Sequence, residues 1–413
     1  MNFHDTEKIV GILKREGYIP TDEPKKADLI VFNTCSIRKK PEEKLFSALG
    51  RLKPLKRQKP SLKIAVCGCI AQQQGSELLK RAPHIDYIFG PQNIGRLPHI
   101  LSMDTVIMTE DNPELPLEDL PAERVNGVKA SVTVMFGCDN FCSYCVVPYT
   151  RGREVSRPLK KIVEEVRALA EEGYKEIQLL GQNVNSYRDG EYDFADLLRH
   201  INDIKGIERI RFITSHPRDL SEKLIRTVAE LEKVCEHLHL PIQSGSDRIL
   251  ALMNRGYTYA EYKRKVDLLR HYIPEIAITT DIISGFPSET EEDHILTIKA
   301  LEDIQYDGIF AFKYSPRPGT KAAEMQEQIP EEIKSRRLSE ILKLQDSITL
   351  KKNNALIGSI QEVLVEGKNE AGEPMARTRT NKIVILDKEL PEGTIINVQI
   401  TEARIHSLTG RVI

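Results

Sequence analysis

The sequence predicts an α/β protein of three domains: a doubly wound parallel sheet over residues 1–115, a partial (βα)6 TIM-like barrel over 124–350 and a small closed β-barrel over 351–413. Three observations predict it. Apolar strands alternate with helices through the first hundred residues, six further β/α units follow, and the tail changes to alternating strands punctuated by Gly and Pro. A chain of 413 residues is long enough to bury two or three such cores.

In the first domain, Asp5 stands where it can cap a helix running to about Glu16, with Ile9, Val10, Ile12 and Leu13 on one face and Gly17 just past the end. Residues 28–34 read as a buried strand, about 42–52 as a helix and 62–66 as a strand, and another helix follows Cys67-Gly-Cys69. The alternation implies a parallel sheet, which binds ligands beyond the carboxyl ends of its strands. Cys35 and Cys69 fall at that edge. Buried small residues would also read this way, but two thiols on one edge favour a metal site. From Arg38 to Lys63, ten cations face Glu42 and Glu43, as either a solvated helix face or a phosphate-binding patch.

Residues 92–126 are rich in Pro, Asp and Glu with little period, and their latter part reads as a linker. The chain is then organised around residues 137–158, which hold Cys138, Cys142 and Cys145 as Cys-x-x-x-Cys-x-x-Cys. Three thiolates on a cube of four irons leave one iron open, whereas electron-transfer clusters take four cysteines and structural zinc sites four ligands. The residues alone leave open a zinc loop with a distant fourth ligand, or three incidental thiols.

Strands are predicted near 130–135, 175–180, 208–214, 236–241, 276–283 and 308–314, mostly with helices between. Leu159, Ile162, Val163, Val166, Leu169 and Ala170 make one helical stripe between Pro158 and Gly173. Parallel barrels work at the carboxyl ends of their strands. Polar residues collect there: Gln182-Asn183, Thr214-Ser215-His216, Gln243-Ser244-Gly245-Ser246, and Thr280-Asp281. Each alone is turn chemistry, whereas the succession reads as a site. His216 reads as a strand-end histidine satisfied by backbone rather than a proton carrier, and Cys235 as inert packing.

A charged helix spans about 331–352. Strands follow at 358–366, 375–380, 382–386 and 394–403, and Arg377, Arg379 and Lys382 line one of them and its turn. They read as an edge strand guarded by charge or as an RNA contact. A net charge of −2 excludes a polybasic molecule, so any nucleic-acid contact must be local. Seven cysteines without a signal peptide point to a reducing, cytoplasmic setting, and no apolar run approaches the roughly 18 residues of a membrane helix.

The cysteine spacing resembles radical S-adenosylmethionine enzymes. The following Val-Val-Pro-Tyr-Thr-Arg-Gly-Arg-Glu-Val-Ser-Arg-Pro is most similar to the MiaB family of tRNA methylthiotransferases, and the tail resembles a TRAM domain. Leu-His-Leu-Pro-Ile-Gln-Ser-Gly-Ser, Met253-Asn254-Arg255 and Tyr314-Ser-Pro-Arg-Pro-Gly-Thr320 agree.

The resemblance implies two 4Fe-4S clusters and S-adenosylmethionine. Cys138, Cys142 and Cys145 would hold the catalytic cluster. Tyr144 would lie near the adenine, with Gln182, Asn183, Gln243, Ser244 and Arg255 near the amino-acid and ribose parts. Cys35 (in Asn-Thr-Cys) and Cys69 (in Gly-Cys-x-Ala-Gln) would hold an auxiliary cluster, with Cys67 a bystander. The family's first auxiliary cysteine would precede Met1, so the expectation is a sequence that begins late.

The implied reaction is methylthiolation at carbon 2 of isopentenyladenosine beside the anticodon. It needs an electron donor such as flavodoxin or ferredoxin, and a sulfur source. It also implies that the TRAM-like tail, with its basic strand, meets tRNA. The alternatives are a sibling methylthiotransferase acting on threonylcarbamoyladenosine or on a ribosomal-protein aspartate, and a non-catalytic iron-sulfur or zinc RNA-binding protein.

Overall fold

The computed structural model describes residues 1–35, 39–110, 120–124 and 127–413, with backbone alone for 39–41. Arg38, the side chains of Lys39 and Lys40, and the expected boundary at residue 115 therefore lie outside the described residues. The chain forms two compact units. The first holds the N-terminal sheet with Phe136–Asp139 and Cys145–Val155; the second holds residues 127–135, Asn140–Tyr144 and everything from Ser156 to Ile413.

In the first unit β1 (Leu29–Thr34), β2 (Lys63–Gly68), β3 (Tyr87–Phe89) and β4 (Val106–Met108) pair in sequence order, all parallel. Such a sheet buries both faces, which is why its strands read as continuous apolar runs. Leu45 and Leu49 of the helix Lys39–Gln58 pack on Ile64, Val66 and Ile88. Ile9 and Ile12 of the helix Asn2–Arg15 cover Ala65, Tyr87 and Phe89 on the other face. That helix ends as expected before Gly17, at φ +84°. It begins earlier than expected, however, with Met1 at its N-cap, and Asp5 is buried in its first turn. Asp5 is no cap, because its carboxylate is committed to Arg151 at 2.6 Å.

The six central strands all appear: β5 (Lys129–Thr133), β6 (Glu176–Leu180), β7 (Arg209–Phe212), β8 (His237–His239), β9 (Ala277–Ser284) and β10 (Gly308–Lys313). They form two parallel sheets, β7-β6-β5 and β8-β9-β10, linked by a bridge between Ile210 and Val234. Outward residues such as Val132, Ile177, Ile210 and Ile278 share one apolar core with Ile162 and Val166 of the helix Leu159–Glu171. Burying each such side chain contributes about 1.5–3 kcal/mol. Alternate residues face inward, and there the barrel is polar: Glu176 pairs with Arg211 at 2.9 Å, and His239 bonds Thr279 at 3.0 Å.

Five strands close the C-terminal barrel: β11 (Ile360–Lys368), β12 (Pro374–Thr378), β13 (Ile383–Leu386), β14 (Ile395–Ala403) and β15 (Leu408–Val412). Their order is β11-β12-β13-β15-β14, and β14 pairs back onto β11, so no strand edge stays open. The fifth strand, whose apolar residues are few, escaped the sequence reading.

This barrel docks on the amino ends of the central strands. Arg209 donates to the carbonyl of Arg377 at 2.7 Å, and Arg211 to those of Thr378 and Arg379, both at 2.8 Å. In return Arg379 pairs with Glu236 at 2.7 Å, Lys382 with Asp307 at 3.3 Å, and Arg377 with Glu366 at 2.7 Å. Arg377, Arg379 and Lys382, expected to guard an edge strand or to meet RNA, thus each have a carboxylate partner within the chain. Their charge is taken up by carboxylates inside the protein, where an unpaired partner would be costly.

Candidate active site

β5 runs into the loop that carries Cys138, Cys142 and Cys145, none of them in a disulfide. Gly137 sits at φ +72°, and a Cβ there would lie 1.9 Å from the carbonyl oxygen of Arg153, so only glycine lets the strands approach. Cys138 N–H then donates to the Gly152 carbonyl at 3.2 Å.

The middle of the loop is gripped by residues 252–255. Ser143 donates its N–H to the Met253 carbonyl at 3.0 Å and its hydroxyl to that of Leu252 at 2.8 Å. Asn254, at φ +58°, donates its side-chain amide to the carbonyls of Asn140 and Phe141 at 3.2 and 3.1 Å. The guanidinium of Arg255 donates to Cys142 Sγ at 3.3 Å, to Tyr144 Oη at 3.4 Å, to Tyr257 Oη at 2.9 Å and to the Pro241 carbonyl at 2.8 Å. Burial opposes its charge, but Tyr144, Tyr257 and Cys142 outweigh it and hold Arg255 protonated.

Two expected cofactor residues, Tyr144 and Arg255, thus converge on a cluster cysteine. Asn183, at the end of β6, donates to Asp219 at 2.7 Å. Gln243 holds φ +74° at the end of β8, its N–H donating to the Asp281 carbonyl at 2.9 Å. The Ser244 hydroxyl works in its own turn, accepting from Ser246 N–H at 3.2 Å beside Thr297.

The chemistry of the donor set fits a cluster with one open iron, since three thiols stand within eight residues of the sequence and the Arg255 cation reaches one of them. A polar ligand beside it also fits: Gln182 Oε1 and Ser215 Oγ, at the ends of β6 and β7, are buried without a hydrogen-bond partner among the described residues. His216 accepts from Arg218 N–H at Nδ1, in line with half of its backbone-satisfied reading, while its Nε2 is buried without a partner among the described residues. Burial first, then Arg255, Arg218 and Lys265, push its pKa down to about 2, so it stays a neutral imidazole near pH 7.

In the first unit, Cys35 follows β1 and Cys69 follows β2. Gly68, at φ +89°, brings these ends together, since a Cβ there would lie 2.3 Å from the Thr34 carbonyl oxygen. Cys67 points into the apolar core, and burial pushes its thiol well above its ordinary pKa. Burial opposes the charge of Arg151, but Asp5, its partner at 2.6 Å, and Cys69 outweigh desolvation and keep it protonated. Sequence reasoning missed Asp5 and Arg151, although Arg151 stands in the quoted Pro-Tyr-Thr-Arg-Gly. In the basic stretch, Lys56 pairs with Asp86 at 2.9 Å and Lys59 with Asp28 at 2.7 Å, so part of it braces the sheet.

Residues 1–90 match the uncharacterized protein family UPF0004, residues 132–301 the radical SAM superfamily and residues 354–413 the TRAM domain. The chain is 55% identical over 415 residues, covering 100% of itself and 96% of the relative, to the tRNA-2-methylthio-N(6)-dimethylallyladenosine synthase of Thermodesulfovibrio yellowstonii. It is 48% identical to the protein of that name in Carboxydothermus hydrogenoformans, with 99% and 96% covered. Among solved structures, the radical S-adenosylmethionine methyltransferase TsrM of Kitasatospora setae shares the fold, with TM-score 0.55, 15% identity, and 76% of this chain and 66% of that one covered.

Proposed function

The chain belongs to the tRNA-2-methylthio-N(6)-dimethylallyladenosine synthase family, and from that premise we propose that it is a radical S-adenosylmethionine methylthiotransferase, placing a methylthio group on carbon 2 of N6-dimethylallyladenosine (isopentenyladenosine) in the anticodon loop of tRNA. The observation that carries the reading is likeness along the whole chain, from the cysteine-bearing N-terminal sheet to the RNA-binding type of barrel at the C-terminus.

Carbon 2 of the base bears a hydrogen of no useful acidity, so acid-base side chains cannot remove it. A 4Fe-4S cluster on Cys138, Cys142 and Cys145, with S-adenosylmethionine, supplies a carbon radical that can take it. The chain's own part is positioning. Arg255 fixes Cys142 and Tyr144, while Gln182, Asn183, Gln243 and Ser244 line the strand ends where the amino-acid and ribose groups would lie. Cys35 and Cys69, the latter near the Arg151 cation, would hold the second cluster. The target base must be splayed from its loop to reach such a site, which single-stranded RNA permits cheaply. A reducing cytoplasm, a flavodoxin- or ferredoxin-like donor and a sulfur source complete the reading. No described helix is long and apolar enough to cross a membrane.

The test is mass analysis of nucleosides from the tRNA of cells lacking the gene. N6-dimethylallyladenosine should accumulate and its 2-methylthio form disappear. An unchanged profile overturns the reading.

A further inference from the structure

One inward wall of the central barrel lies outside the residues assigned to the clusters and the cofactor. Asp281 on β9 and Phe310 on β10 are register partners, side by side on the inner face. Their neighbours Ile282, Ile309 and Ala311 turn outward into the apolar core. Phe310 is nevertheless 54% exposed, a bare aromatic ring on a strand whose other face is packed.

Behind it runs an ordered polar chain. His237 Nε2 lies 3.2 Å from Thr279 Oγ1, which lies 3.0 Å from His239 Nδ1, and His239 Nε2 lies 3.4 Å from Asp281 Oδ1. A carboxylate only accepts, so His239 places its Nε2 proton toward Asp281. Its Nδ1 then accepts from the Thr279 hydroxyl, whose oxygen accepts from His237. Each group is oriented by the one behind it. The second carboxylate oxygen of Asp281 takes no hydrogen bond from the described residues. The ring of His239 also meets Phe310 edge-on, with centroids 5.7 Å apart, which fixes the aromatic plane.

A flat apolar surface beside a single oriented acceptor matches a base with a flat ring, one exocyclic N–H and an apolar substituent. Resting on the reading above, which makes N6-dimethylallyladenosine the substrate, we propose that Phe310 and Asp281 form the specificity wall for the N6-alkylated adenine. Phe310 packs on the ring or the branched alkyl tail, and Asp281 accepts the one N6–H. His239 and Thr279 are positioning residues. Plain adenine has no tail for the exposed ring to cover, so the wall favours the alkylated base.

The test uses the full-length reconstituted protein and two anticodon stem-loop RNAs, one bearing N6-dimethylallyladenosine and the other adenosine at the target position. F310A and D281A should each weaken binding of the alkylated RNA about tenfold or more, from the usual worth of one base-aromatic stack. In F310A binding of the plain RNA should change less than about twofold, because that base has no tail to lose, whereas D281A should weaken both RNAs, since plain adenine also offers an N6–H; in both variants KM for methylthiolation should rise more than kcat falls. F310Y and D281N, which keep a ring and an acceptor oxygen, should recover most of the loss. Thermal midpoint and cluster absorbance confirm folding, and F310L serves if F310A does not fold. An F310A variant that keeps the wild-type ratio of the two dissociation constants, or a D281A variant that binds both RNAs as the wild type does, overturns the proposal. A wild-type protein that shows no preference and forms no methylthio product overturns the functional reading itself.

Discussion

Arg255 and Cys142, 113 residues apart in the chain, meet at 3.3 Å, so that a buried guanidinium serves a thiol, two tyrosine hydroxyls and a carbonyl at once. A fork with five donors can do this, and an ammonium on a flexible stem cannot.

R255A should therefore slow cleavage of S-adenosylmethionine about 10- to 100-fold, in the range of outer-shell partners of metal ligands, and lower the cluster's reduction potential by removing a cation from beside it. R255K should restore the potential more fully than the rate. Potentiometry on the reconstituted cluster and deoxyadenosine yield separate the two. A potential unmoved in R255A would leave Arg255 a packing residue.

Replacing Cys138, Cys142 or Cys145 by alanine should abolish cofactor cleavage and lower iron per chain. C69A should lower iron while C67A leaves it unchanged, because Cys67 faces Ala65, Tyr87 and Phe89 rather than the sheet edge. The cost of C67A should be about 1 kcal/mol, that of a small buried group. Iron analysis and electron paramagnetic resonance decide the matter.

R379A should destabilise the protein by about 1–3 kcal/mol, discounted for the partial exposure of its pair with Glu236, and E236Q should offset part of that loss. The slope of RNA affinity against salt should not change. A phosphate contact would instead reduce that slope by about 1. Urea melts and RNA titrations at several salt concentrations check both.

His216 and His237 are buried neutral, their pKa values pushed down to about 2 and about 3 by burial first and then by cations such as Arg255 and Arg211. The unfolded chain takes up protons at these positions below its ordinary pKa, about 6.5. Their contribution is thus fully present above that value and is lost as pH falls from 6.5 toward 3, by at most about 1.4 kcal/mol per pH unit for each group. H237Q should flatten this decline in urea melts between pH 6.5 and 4.5. An unchanged slope would show that His237 is not the group being protonated.

The sequence made the local features plain. The three cysteines lie within eight residues, and the helix Leu159–Glu171 shows its stripe without help from tertiary structure. What escaped was held by distant partners. Asp5 looks like a cap until Arg151, 146 residues on, takes its carboxylate. Arg379 looks free for RNA until Glu236, 143 residues earlier in the chain, is placed beneath it. Charge on a strand reports that a partner is needed, but not whether that partner belongs to the same chain.

The seam beneath the central barrel has an evolutionary corollary. Arg209 and Arg211 hold the C-terminal barrel by its main-chain carbonyls at residues 377–379. Every residue type offers a carbonyl, so mutation on the receiving strand leaves that half of the grip intact. The two arginines have no such latitude. Drift across this seam should therefore be one-sided, with the docked module diverging around donors that cannot.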